Sequence, residues 1–237
     1  MTQSVFEGMQ SLRRGYRALV IGASGGLGQA FVQVLQSDPG CECVQAVSRG
    51  QPCDWDLMDA DSLSVMAGQL QGPWHLVVDA TGALTLNGQG PEKRLQELDA
   101  ERLMRSLQVN AVGPALLMQQ LTSQLVRGER VIWAKLSARV GSIEDNHKGG
   151  WYGYRSAKAA LNQLLQTTAI EWARQRPLAV VAALQPGTVR SALSQPFVGD
   201  DAIDPQASAQ GLLKALDRLQ PTGRAQFVDY RGQAIAW

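Results

Sequence analysis

Ala18-Leu19-Val20-Ile21-Gly22-Ala23-Ser24-Gly25-Gly26-Leu27-Gly28 passes from four apolar residues into a glycine-rich turn. The unbroken apolar run predicts a strand buried on both faces. From Leu27 to Gln36 the apolar residues Leu27, Ala30, Phe31, Val34 and Leu35 recur at helical spacing. Strand, glycine turn and helix in this order form the setting of a dinucleotide site. Glycine lets the backbone turn tightly and approach a pyrophosphate, and the helix N-terminus offers it free N–H groups. The spacing is Gly-x-x-x-Gly-x-Gly, distinct from the common Gly-x-Gly-x-x-Gly fingerprint.

Outward from this turn, apolar strands alternate with amphipathic stretches. Strands are expected at Val44–Val47, Trp74–Asp79, Val131–Leu136, Leu178–Leu184 and Ala225–Val228, and helices at Ala60–Leu70, Asp99–Leu125, Tyr154–Arg174 and Pro205–Leu219. Such alternation predicts a single α/β domain, a Rossmann-type doubly wound parallel sheet with helices on both faces. Residues 1–16 read as an N-terminal extension and 17–237 as the domain. Ligands of such sheets bind beyond the C-terminal strand ends.

The chain of 237 residues is 45% hydrophobic and 18% charged, with a formal net charge of +1. That balance suits one globular domain and gives no reason to expect nucleic acid or a charged membrane surface as partner. No apolar run approaches the ~20 residues of a membrane span. Met1–Tyr16 holds Glu7 and polar residues where a signal peptide needs an apolar stretch. Cys41, Cys43 and Cys53 are odd in number and lack zinc spacing, so reduced thiols in a cytoplasmic protein are expected.

Tyr154 and Lys158 are the candidate pair for chemistry. Four residues apart on a helix, they stack on one face, one turn apart. A cation beside a phenol favours the phenolate, which lets a tyrosine exchange protons with a carbonyl or alcohol near neutral pH.

With these residues in hand, the chain from about Arg17 to its C-terminus resembles the short-chain dehydrogenase/reductase family. The likeness rests on Gly22–Gly28, Asp56-Leu57, Gly82, Asn110, Ser137, Tyr154, Lys158 and Pro186-Gly187. Within the family it is most similar to the C-factor/sniffer-like carbonyl reductases. That likeness is carried by Ser137–Ile143, Gly149–Tyr152, Pro186–Val189 and Phe227–Gly232. The resemblance implies that Tyr154 protonates the carbonyl oxygen as hydride arrives, and that Lys158 lowers its pKa and holds the nicotinamide ribose. Asn110 would support a water-linked proton relay through its backbone. Gly22, Ser24, Gly25, Gly26, Leu27 and Gly28 would cradle the pyrophosphate. Asp56 and Leu57 would flank the adenine, and Ala80, Thr81 and Gly82 would meet the cofactor along their backbone. Pro186, Gly187 and Val189 would pass the nicotinamide. The small-molecule substrate would be a carbonyl or alcohol, and the protein a homodimer or homotetramer packed through Asp99–Leu125 and Tyr154–Arg174.

The family's hydroxyl usually stands three residues before a glycine, where this chain has Ala138 before Gly141. Either the strand end bends and aims Ser137 at the substrate, or Ser142 supplies the hydroxyl, or the site lacks it; Ser137 is the preferred assignment. Two milder departures are Ile21 before the first glycine and Asp79-Ala80-Thr81-Gly82 after the third strand. The second strand ends in Ser48-Arg49-Gly50 with no acid to bind a ribose 2′-hydroxyl. Arg49, helped by Ser48, suits a 2′-phosphate, so NADP(H) is expected in preference to NAD(H). Asp54 and Asp59 read as turn and helix-cap acids. Substrate contacts are expected from 142–151 and 190–204, with Trp151, Tyr152 and Phe197 as candidate walls. His147 has no partner at metal-binding spacing, and no metal is called for. A regulatory or C-factor-like signalling protein that binds the dinucleotide with little catalysis is the competing reading.

Overall fold

The apolar run before the glycines is the inner part of β1 (Tyr16–Ile21), the strand around which the sheet is organised. The computed structural model describes residues 6–190 and 202–237. After β1 come α1 (Gly26–Gln36), β2 (Cys41–Val47), α2 (Ala60–Gly68), β3 (Leu76–Asp79), α3 (Ala100–Leu107), α4 (Gly113–Leu121), β4 (Val131–Leu136), α5 (Tyr152–Gln175), β5 (Ala179–Gln185), α6 (Pro205–Arg218) and β6 (Gln226–Asp229). The strands form one sheet in the order β2-β1-β3-β4-β5-β6. Every pairing is parallel, so the chain must cross back over a face between strands. The expected doubly wound α/β fold is the one observed.

Strand side chains alternate between two cores. Leu19 and Ile21 point into a core with α2, α4 and α5, where Trp133 meets Trp172 edge-on at 6.1 Å. Ala18 and Val20 point into a second core with Phe31 and Leu35 of α1 and Leu212 and Leu216 of α6. Burial on both faces explains why β1, β3 and β4 are apolar over most of their length, with Lys135 the polar exception inside β4.

Most element ends move by one or two residues from expectation, and three larger differences have physical reasons. β2 begins at Cys41, earlier than its apolar residues suggest, because an edge strand leaves Glu42 exposed and Gln45 half-buried. Trp74 lies outside β3 and bridges Leu125 instead. The predicted helix Asp99–Leu125 is interrupted by a π-helical turn, Gln108–Val112, between α3 and α4. Pro114 has no N–H to offer the carbonyl of residue 110, so the regular ladder opens there. At the N-terminus, Met9 and Leu12 are buried in the second core, and Met9 N–H and Tyr16 O–H both donate to Asp38 Oδ2. Residues 6–15 are therefore clipped to the sheet, and β1 starts at Tyr16.

Strand order reverses at β1, between β2 and β3. In open α/β sheets a ligand crevice forms beyond the C-terminal strand ends at such a switch point. The loops leaving β1, β3, β4 and β5 converge there.

Candidate active site

At the end of β1 the chain enters the glycine turn with Gly22 at φ +82, and the N–H groups of Gly22 and Ala23 both donate to the Val47 carbonyl at 2.9 Å. A Cβ at Gly28 would collide with the Gly22 carbonyl, so only glycine closes this turn. α1 starts at once, capped by no side chain and with no acid in its first turn. Its unpaired N–H groups and dipole therefore face outward unneutralised, which suits an anion. Gly25, Gly26, Leu27 and Gly28 wall a cleft of about 1020 Å³. Ala80, Thr81 and Gly82 form its floor beyond β3, and Pro186, Gly187 and Val189 its far side beyond β5. A cradle of small residues at a helix N-terminus, open to a cleft of this size, fits a dinucleotide.

Other expected cofactor residues stand off the cleft wall. Gly22 supports the turn from behind, where a Cβ would lie 3.0 Å from the Ala80 carbonyl carbon, and Ser24 is exposed. Ser48 and Gln51 exchange backbone hydrogen bonds, which puts Arg49 at the exposed tip of a tight turn after β2. Asp56 accepts from Met58 N–H, and Leu57 packs against Gly113. Asp59 caps α2 through Asp61 and Ser62 N–H.

α5 carries Tyr154 and Lys158 into the cleft wall. Its start is held from outside the helix. Trp151 adopts a left-handed conformation (φ 55), and Gly153 N–H donates to Glu92 Oε2 at 3.0 Å. Lys158 Nζ lies 5.5 Å from the Tyr154 ring centroid and donates to the Leu136 carbonyl at 3.1 Å. Burial pushes the Tyr154 phenol above its ordinary range. Burial first, and the neighbouring Lys135 ammonium second, push Lys158 down to about 7. Desolvation alone sets the direction for the tyrosine, opposite to the lowering expected from the lysine. The site favours a protonated phenol, the form that donates a proton.

Ser137 and Ala138 both line the cleft where β4 ends, because the chain bends into a 3-10 turn at Arg139–Gly141. Ser137 Oγ donates to Asn162 Oδ1 at 2.7 Å. Ser142 is turned away, its hydroxyl accepting from Asp145 N–H. Asn110 is fully buried behind the floor. Its side chain accepts from Ala83 N–H and donates to the Ala83 and Ser106 carbonyls.

The sequence reading missed three polar residues. Asn162 continues the Tyr154–Lys158 face by one more turn, a four-residue spacing that was there to be read. Lys135, on β4, is buried and ion-paired to Asp79 at 2.9 Å. Glu92 comes from the loop before α3, and no local pattern marks it.

Trp151 and His147 line the outer cleft, with Trp151 edge-on to Tyr154 at 6.3 Å. Tyr152 does not line it, and Phe197 with most of 190–204 lies outside the described residues. A smaller pocket of about 360 Å³ shares Leu84 and Tyr154 with the cleft. Among the described residues no cluster of three His, Cys, Asp or Glu side chains can hold a metal, and no helix is long and apolar enough to cross a membrane. Cys41, Cys43 and Cys53 are free thiols.

Comparison with known proteins agrees with this fold. C-signal of Myxococcus xanthus is 31% identical over 144 residues, covering 60% of this chain and 83% of that protein. The 1-hydroxy-2-glutathionyl-2-methyl-3-butene dehydrogenase of a Rhodococcus strain is 31% identical over 186 residues, 77% of this chain and 78% of that protein. The NADPH-bound carbonyl reductase from chicken fatty liver shares the fold with a TM-score of 0.80 at 24% identity, over 95% of this chain and 100% of that one. Carbonyl reductase Sniffer of D. melanogaster gives 0.78 at 21% identity, over 95% and 100%. A family model described as short chain dehydrogenase matches residues 16–201, and the chain belongs to that family of oxidoreductases.

Proposed function

We propose that this protein is an NADP(H)-dependent oxidoreductase of the carbonyl reductase/alcohol dehydrogenase type, acting on a small carbonyl or alcohol. One observation carries the reading: Tyr154 and Lys158 stand on the wall of the same cleft as the Gly25–Gly28 cradle. Bound nicotinamide supplies or accepts the hydride. Tyr154, kept protonated by burial, donates to the carbonyl oxygen, or accepts from the alcohol in reverse. Lys158, when charged, stabilises the phenolate left behind. Ser137 lines the cleft beside them and supplies a hydroxyl to orient the substrate oxygen. Asn110 pins Ala83 behind the floor and would link a water relay to Lys158.

Arg49 is exposed, and β2 ends in Ser48-Arg49-Gly50 with no acid at the strand end, which supports a 2′-phosphate and so NADP(H) over NAD(H). Exposed Met104 on α3, Val112 beside α4 and Leu164 on α5 support a homodimer or homotetramer through these helices. Three free thiols fit a cytoplasmic setting. The likeness to C-signal favours a second reading, a dinucleotide-binding signalling protein with little catalysis.

The test follows NADPH and NADH oxidation across aldehydes, ketones, diketones and quinones, with wild type and Tyr154→Phe side by side. NADPH-preferring turnover that falls by about 10²- to 10⁴-fold in the variant supports the reductase. Turnover untouched by the substitution removes Tyr154 from the chemistry. NADPH binding without turnover favours the signalling reading.

A further inference from the structure

The cleft floor rests on a buried pair of charges. Asp79 ends β3 and pairs in register with Lys135 of β4. Their side chains are 0% and 1% exposed, with Nζ 2.9 Å from Asp79 Oδ1. Lys135 Nζ also donates to the Thr81 carbonyl at 2.6 Å and to its hydroxyl at 2.9 Å. Thr81 in turn donates through its N–H (2.9 Å) and its hydroxyl (2.6 Å) to the same Asp79 oxygen. Taking two charges out of water is costly, and an apolar pair of equal volume often serves a fold as well. What the ions hold is the turn 79–82. A Cβ at Gly22 would lie 3.1 Å from Thr81 N, and one at Gly82 would lie 3.4 Å from Lys158 Nζ. The turn is wedged between the glycine cradle and Lys158.

We propose that the Asp79–Lys135 ion pair is a positioning device for the active site: it locks the 79–82 turn between the glycine cradle and Lys158. The proposal rests on the reading above for the identity of the cofactor. The charged groups acting on Lys158 are Lys135 from β4 and Asp79 from β3, with the Tyr154 phenol on its own helix. Lys135 lowers the Lys158 pKa and Asp79 raises it, the lysine more strongly. Removing both charges therefore lets Lys158 keep its proton to higher pH.

The neutral double variant Asp79→Asn/Lys135→Met keeps side-chain volume without stranding a charge. Lys135→Met alone leaves a buried carboxylate unpaired and is expected to unfold. Thr81→Val keeps both charges and cuts only the hydroxyl link. Melting temperature, NADPH affinity by fluorescence from pH 6 to 9, and the pH profile of kcat/KM are read for each. The double variant is expected to melt near wild type, to bind NADPH at least fivefold more weakly, and to move the alkaline limb upward. Thr81→Val is expected to lose at least threefold in affinity with an unmoved pH profile. The proposal falls if every folded variant binds NADPH as wild type does. Lost affinity without any carbonyl turnover would sink the reductase reading and uphold this one. Normal turnover with unchanged affinity would do the reverse.

Discussion

Glu92 caps the helix that carries Tyr154 from 61 residues away: its Oε2 accepts the Gly153 N–H at 3.0 Å, one residue before the tyrosine. Its backbone carbonyl also accepts from Trp151 N–H, and Arg102 Nε stands 3.9 Å from the other carboxylate oxygen. A buried anion at a helix N-terminus satisfies a free donor and opposes the dipole. Losing that acceptor should cost about 1–3 kcal/mol. Glu92→Ala is therefore expected to lower both unfolding free energy and kcat, whereas Glu92→Gln keeps an acceptor and loses less of each. Urea unfolding and steady-state kinetics on both variants check this. Equal stability in the alanine variant would remove the cap from the account.

The glycine turn separates two kinds of requirement. At Gly28 a Cβ would meet the Gly22 carbonyl, while at Gly25 it would meet only that oxygen, at an ordinary 3.5 Å. Gly28→Ala must push the turn apart and should destabilise the fold by about 1–3 kcal/mol. Gly25→Ala should fold as wild type but place a methyl in the cleft. NADPH titration of both, with thermal unfolding, is expected to show weak binding in each and low stability only in Gly28→Ala.

Arg49 sits at the tip of the turn after β2, in water. A charge-assisted fork to a phosphate should survive there only in part, so Arg49→Ser is expected to weaken NADPH binding about tenfold. NADH binding should change little. Parallel titrations at low and high salt decide it, since the loss should shrink as salt rises. Equal losses for both cofactors would assign the arginine a structural role.

The sheet, its two helical layers and the Tyr154/Lys158 face were legible because each is written in local periodicity: largely apolar runs for buried strands, four-residue spacing for one helix face. The break at Gln108–Val112 was also written, in Pro114, but a single missing donor is a weak signal inside a long helical pattern. Lys135 could have been flagged, since a lysine inside Val131–Leu136 must find a partner if that strand is central. Which partner depended on β3 lying beside β4 in a register that sets Asp79 opposite Lys135. That Ser137 lines the cleft and Ser142 does not turned on how the chain bends after Leu136, and Glu92 on a contact between distant segments. Those are tertiary facts.

Lys158 links function to a stability cost whose sign can be tested. Its folded pKa is pushed down to about 7 from an ordinary 10.5, chiefly by burial. Below pH 7 both folded and unfolded states carry the proton, and the fold bears the full cost of a buried ammonium. Between about 7 and 10.5 the unfolded chain binds more protons than the folded one, so this group's contribution to stability rises with pH across that window. Lys158→Met removes the charge but keeps the side chain's length. The variant is therefore expected to be more stable than wild type at pH 6, with the gap narrowing by pH 10, and to lose carbonyl reduction at every pH. Urea unfolding at both pH values reads the first effect and NADPH oxidation the second. A variant less stable than wild type at pH 6 would mean that the hydrogen bond from Lys158 to the Leu136 carbonyl outweighs desolvation, and that the charge is not held at a cost. The expected outcome instead marks Lys158 as a residue kept for chemistry against the interest of the fold.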